Sequence, residues 1–142
     1  MPTMTEMAND VKTKYFSQTF DNLLKLGDSE KAKDMDIDKT FKDIEGFIEY
    51  TYATNNPNRK QESITTHQLR NVFSKIVGVK EVSELKMIRP NLAYISARQS
   101  NKKAKEFMSF VDLLIQNVNS KEQLESFKKT MEAFVAYHKF HK

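Results

Sequence analysis

Three imidazoles, His67, His138 and His141, are the only side chains with an ordinary titration near neutral pH. His138 and His141 stand three residues apart, a spacing that can present two ring nitrogens to a metal ion from one helix face. No carboxylate or third imidazole stands at a matching distance, and both lie within the last five residues. His67 follows two threonines at a candidate helix start, where a general base would need a nucleophile that its neighbours do not offer. Two carboxylate groups, Asp43/Glu45/Glu49 and Glu122/Glu125, fall on polar helix faces beside lysines, as solvated charge commonly does. Cysteine is absent, which removes thiolate chemistry and disulfides. No P-loop, GxGxxG, HExxH or GxSxG string occurs, and three glycines are too few to build a backbone cradle for phosphates. These residues point to a binding protein, not an enzyme, with no cofactor and no metal.

The charge that remains to be explained is basic and unevenly placed. Residues 59–105 carry eleven Lys/Arg against three Glu, whereas residues 1–36 carry five Lys against seven acids. A block so one-sided is a candidate footprint for a polyanion. Arg98, Lys102 and Lys105 form one line if a single helix carries all three, with Lys103 beside it. If "QSNKK" (residues 99–103) is a turn instead, the three lysines gather at a helix N-terminus, where they oppose the helix dipole and a bound phosphate would relieve them. Arg70, with Asn71 and Lys75 nearby, and Arg89 ahead of Pro90 extend the set. The aromatics are assigned to the core, with the stem of Tyr94 inward. No exposed platform for base stacking is therefore expected, only contact with a nucleic-acid backbone.

The elements that must position these groups are helices. The chain has 142 residues, 39% apolar and 30% charged, which fits one globular unit able to bury a core. Three prolines and three glycines are too few for the turns of a β-rich or βαβ fold. No apolar run is long enough for a membrane span or shaped like a secretory signal, so a cytoplasmic protein is expected. Apolar spacing predicts a helix from Asn9 to Leu26 ending at Gly27, then a polar linker (27–36). A helix capped by Asp38 and carrying Phe41, Ile44, Phe47 and Ile48 comes next, and fails at a Pro/Asn/Ser turn over Thr54–Ser63. Thr65 or Thr66 caps a helix that Gly78 ends; a short turn over Val82–Ile88 precedes a separate helix from Pro90. The stripe Phe107, Phe110, Val111, Leu114, Ile115 and Val118 marks a further helix. "SKEQ" (Ser120–Gln123) opens the last one as a capping box. The fold class is all-α, a compact bundle of five to six short helices. Its domain division is 1–36, an acidic N-terminal helical extension and linker, and 37–142, the bundle. The extension can dock on the core, swap into a partner or stay mobile.

Three blocks, "HQLRNVFSKI" (67–76), "RPNLAYISAR" (89–98) and "MEAFVAYHKF" (131–140), resemble in order and separation those of the small helical subunit of type III-A (Csm) CRISPR effector complexes. The resemblance covers about residues 37–142. It implies a non-catalytic subunit in antiviral defence, present in several copies that stack along the filament and hold guide RNA and target RNA. Cleavage then belongs to other subunits. By the blocks, Arg70, Arg98 and Lys139 are implied RNA contacts. Lys75, Arg89, Lys102, Lys103 and Lys105 join them on charge clustering. Ala97 stands where the second block often has glycine, and residues 1–36 have no counterpart. Two alternatives stay open: Arg70 and Arg98 pair inside the bundle with Glu81, Glu84 or Glu132, or the chain is an adaptor whose basic face meets an acidic protein.

Overall fold

The computed structural model describes residues 2–52, 64–99 and 101–141. The turn expected at Thr54–Ser63, with Arg59, Lys60 and Glu62, lies outside the described residues, as does Ser100. The chain is 78% helical without strands among the described residues, as the turn-residue count required. The helices are α1 (Met4–Tyr15), α2 (Ser29–Ala32), α3 (Ile37–Tyr52), α4 (Thr66–Val77), α5 (Val82–Lys86), α6 (Arg89–Arg98), α7 (Lys102–Gln116) and α8 (Lys121–His141), with a 3₁₀ turn over Phe20–Leu24.

The N-terminal segment differs from the single helix expected over Asn9–Leu26. Thr3 accepts the Glu6 N–H and starts α1 at Met4, and the helix stops at Tyr15. Helical geometry at about 100° per residue accounts for the break. In one straight helix Phe16, Phe20, Leu23 and Leu24 would lie opposite Val11. Interrupting the helix after Tyr15 lets Val11 and all four of these side chains join the same core. Of the three arrangements open for residues 1–36, the structure shows docking, with α1 packed most extensively on α7. Gly27 is not a helix C-cap. It lets the chain cross α8 closely: a Cβ there would sit 2.8 Å from the Ser126 backbone nitrogen. The Gly27 N–H donates to Ser126 Oγ at 2.9 Å, and the Thr130 hydroxyl donates to the Leu23 carbonyl at 2.6 Å.

Capping follows sequence, with two shifts. Asp36, not Asp38, caps α3, accepting the Lys39 N–H at 2.9 Å. That choice places Ile37 at the first helical position and the Phe41/Ile44/Phe47/Ile48 stripe on the core. Thr65 forms a full capping box with Gln68 at the start of α4, and Gly78 occupies its C-cap. Ser120 accepts the Gln123 N–H, but the glutamine carbonyl takes the Asn119 N–H one residue further out, so the box at α8 is reciprocal only in part.

Helix α7 is the central element. Its expected stripe is buried, and so are Ala104, Met108, Ser109, Glu106 and Asp112, because α1, α6 and α3 cover it from several sides. Around it the phenylalanines pack face to face and edge to face: Phe47 on Phe107 and Phe16 on Phe110 are stacked, with Phe134 edge-on to both Phe47 and Phe107. Two tyrosines, Tyr15 and Tyr50, extend this cluster outward.

Candidate nucleic-acid interface

Topology gathers most of the cations suggested by the sequence at one end of the bundle. Helices α6 and α7 form an antiparallel hairpin, since Arg89 at the start of α6 reaches Asp112 late in α7. Helix α4 runs antiparallel to α6: Lys75 near the end of α4 donates to Asn91 Oδ1 near the start of α6, while Gln68 and Asn71 face Tyr94, Ile95 and Arg98. The end of α3 meets the start of α7 through Tyr50, whose hydroxyl donates to Glu106 Oε1 at 2.8 Å. The end of α8 meets the entry to α4, where the buried His138 Nε2 lies 2.9 Å from the Ile64 carbonyl oxygen. The first turns of α4 and α7 and the last turns of α3, α6 and α8 thus share one end. Arg70, Arg98, Lys102, Lys103, Lys105 and Lys139 sit there; Lys75 and Arg89 lie toward the other.

The α6–α7 connection settles the choice left by sequence. Helix α6 ends at Arg98 with Gln99 as C-cap, and Asn101 caps α7 by accepting the Lys103 N–H at 2.8 Å. Arg98, Lys102 and Lys105 therefore do not ride one helix. The three lysines occupy the first turn of α7, where the macrodipole opposes them. Asn101 favours the break, because its side chain satisfies an N–H that a continuing helix would have used.

The cations differ in what they touch. Lys102 and Lys139 are exposed. The Lys103 ammonium lies 4.7 Å from the Tyr50 ring centroid, a cation–π contact that ties it to the fold. Burial first, and then the neighbouring Glu106 carboxylate, hold the Tyr50 phenol well above its usual range, and the same causes raise Tyr15 more mildly. Arg89 is committed inward: its Nε donates to Asp112 Oδ1 at 2.9 Å, with the arginine side chain 42% and the aspartate 9% exposed. Gln116 Nε2 takes the other carboxylate oxygen at 2.9 Å. Neither Arg70 nor Arg98 forms an ion pair with Glu81, Glu84 or Glu132.

Tyr94 is not turned inward. It stands 60% exposed, because it is two residues from the buried Leu92 and so about 200° around the helix. Arg98, four residues on, donates from Nη1 to the Tyr94 hydroxyl at 3.2 Å, and its guanidinium carbon lies 5.5 Å from the ring centroid. Between α4 and α6 these two residues open onto a groove of about 330 Å³ whose other walls are Gln68, Asn71, Ile95 and Gln99. Sequence reasoning missed this groove; the helical angle of Tyr94 relative to Leu92 was the signal that could have found it.

The metal-site candidates resolve differently. His138 points into the bundle, and the His141 side chain is outside the described residues. Among the described residues no three His, Asp or Glu side chains gather in a way that could hold a metal ion. No helix among them is long and apolar enough to cross a membrane.

The family model Csm2 Type III-A matches residues 42–142. No curated protein and no solved structure matches the chain. The match spans more than half of the sequence and takes in α4 to α8 and most of α3, the elements that build the basic end. The chain belongs to the Csm2 Type III-A family and is a small subunit of the type III-A CRISPR Csm complex.

Proposed function

We propose that this subunit is non-catalytic and that its basic end contacts the backbones of the guide RNA and the target RNA without sequence preference, several copies lying along the complex. The observation that carries this reading is the convergence of Arg70, Arg98, Lys102, Lys105 and Lys139 at one end, none of them held in an ion pair among the described residues. Lys103 belongs to the same end with its ammonium resting on Tyr50. Lys75 lies toward the other end of α4, where it donates to Asn91. Arg89 serves the fold: its charge offsets that of Asp112, and it holds α6 on α7.

Lysines set against a helix dipole cost the free protein stability, typically about 0.3–1 kcal/mol each when exposed. A phosphate at the start of α7 would turn that cost into attraction. Lysine acts there as a mobile point charge, while Arg70 and Arg98 can take phosphate oxygens in bidentate fashion. Both modes read charge and spacing, not base identity.

The test is binding of two unrelated RNA sequences by the full chain, followed by fluorescence anisotropy across a salt series. The expected result is equal affinity for both, with the logarithm of the binding constant falling linearly with the logarithm of salt concentration. Lys102→Glu/Lys105→Glu should lower affinity at least tenfold and flatten the slope while the thermal melt keeps its cooperativity. Unchanged affinity in that variant would overturn the assignment. Recovery of the Csm assembly without RNA, from cells supplying guide, would favour an acidic protein partner instead.

A further inference from the structure

Three grooves among the described residues are large enough to take a small group. The one between α3 and α8 is lined by Phe41, Tyr137 and alanines but also by Glu132, and the one beside the 3₁₀ turn includes Asp21. An anionic ligand would meet a carboxylate in either. The groove between α4 and α6 has no carboxylate in its lining, and it alone of the three joins an exposed aromatic face to an arginine.

The parts of that groove suit a flat, polar-edged ring. Tyr94 offers a π-face that the core does not use, and the Arg98 contact with its hydroxyl limits the ring's freedom before any ligand arrives. Ile95 supplies an apolar side to the groove. Gln68, Asn71 and Gln99 supply amides, each carrying donors and an acceptor of the kind that pair with base edges. Asn71 is steadied by its contact with His67 Nε2 at 3.3 Å. The volume, about 330 Å³, is at the small end for ligand sites, which argues for one ring system and not an extended molecule.

We propose that the α4–α6 groove holds one unpaired nucleobase of a single-stranded RNA segment, stacked on Tyr94 with the flanking phosphate on Arg98. This rests on the RNA-binding reading of the same end and adds a contact to the base itself, which backbone binding does not require. Stacking of this kind tolerates any base, since each presents a π-face. It would distinguish unpaired from duplex RNA, whose bases are already stacked on one another.

The experiment uses the full chain and a single-stranded oligoribonucleotide carrying one 2-aminopurine, whose fluorescence is quenched on stacking. Binding by the parent should quench the probe, and an otherwise identical RNA with abasic positions should bind more weakly. Tyr94→Ala should reduce affinity about five- to hundredfold and abolish the quench, with an unchanged salt slope, while Tyr94→Phe keeps both affinity and quench. Lys102→Glu/Lys105→Glu should show the reverse pattern, a flatter salt slope with the quench intact at saturation. If the parent binds RNA but abasic RNA binds equally well, or if Tyr94→Ala quenches like the parent, the base site is wrong and the backbone reading stands. If the parent binds no RNA at low salt, both readings fall together.

Discussion

Arg89 and Arg98 open and close the same helix, and the structure assigns them opposite behaviour. Consider Arg89→Ala. The substitution leaves Asp112, a carboxylate only 9% exposed, with Gln116 as its one remaining polar partner among the described contacts. Breaking a fully buried ion pair costs about 3–5 kcal/mol. The Arg89 side chain is 42% exposed, so water screens the pair in the native state and can partly replace the guanidinium. We therefore expect a loss of about 1–2 kcal/mol, in line with a charged hydrogen bond left half made. For a chain of this size that corresponds to a melting temperature lower by roughly 3–8 °C. Arg98→Ala removes only an exposed contact to Tyr94 and should change stability by less than about 0.5 kcal/mol. Urea denaturation of both variants, followed by circular dichroism, supplies the stability arm; RNA titration at one salt concentration supplies the other. Arg89→Ala should lose only a few-fold in RNA affinity, through the loosened α6–α7 hairpin, once the folded fraction is accounted for, and Arg98→Ala should lose distinctly more. The double variant Arg89→Met/Asp112→Leu should recover much of the lost stability, because it removes the stranded charge together with its partner. The reasoning fails if Arg89→Ala denatures with the parent while losing RNA affinity as Arg98→Ala does, for then Arg89 faces the ligand and not Asp112.

The two glycines at positions 27 and 46 should respond to alanine with opposite signs. At Gly27 the added methyl meets the α8 backbone and should cost about 1–3 kcal/mol, whereas at Gly46, where nothing lies within 4 Å, it should stabilise α3 by about 0.4–1 kcal/mol; thermal melts decide both. The raised Tyr50 phenol predicts an alkaline decline. The folded state holds that proton more tightly than the unfolded chain, so the contribution is complete below pH about 10 and is lost as pH rises beyond it. Urea melts at pH 7, 9 and 11 should show the decline in the parent and a shallower one in Tyr50→Phe, which is itself less stable at neutral pH because Glu106 loses its donor.

Where one residue type served one purpose, the sequence was readable. Period 3.6 located α3, α4, α7 and α8, a threonine at 65 or 66 marked the start of α4, and the serine–glutamine pair marked that of α8. The lysines at the start of α7 could be recognised as a cluster, but whether they continued one helix or began another stayed open until the Asn101 cap decided it. Places where two demands met on one segment were harder. Val11 and Phe16 both needed the core but lay on different helical faces, and only a broken helix could satisfy them. Tyr94 looked like core because aromatic residues usually are, yet its angle from Leu92 left it outside. Glu106 and Asp112 sit within the apolar register of α7, four residues from Phe110 and Met108 respectively, but no local pattern names Tyr50 or Arg89, dozens of positions away in the one case and on the neighbouring helix in the other, as their partners.

Those two buried acids carry the wider consequence. If the basic end binds RNA as proposed, its cations cannot collapse onto the bundle's own carboxylates. Helix α7 handles this by keeping its two acids inside and giving each a dedicated partner: a neutral phenol for Glu106, and the one arginine of α6 that faces inward for Asp112. The Arg89 guanidinium offsets the Asp112 charge, while the Tyr50 hydroxyl satisfies one Glu106 oxygen without neutralising it. Asp112 with Arg89 also fixes how α6 lies on α7, and that packing sets where Arg98 and Tyr94 emerge beside the first turn of α7. Neutralising Asp112 would therefore be expected to loosen the hairpin and blur the spacing of the exposed cations, even though it removes a negative charge. That direction is opposite to what net charge alone predicts for RNA affinity. Asp112→Asn, raising net positive charge yet weakening RNA binding, would separate the role of geometry from that of charge at this surface.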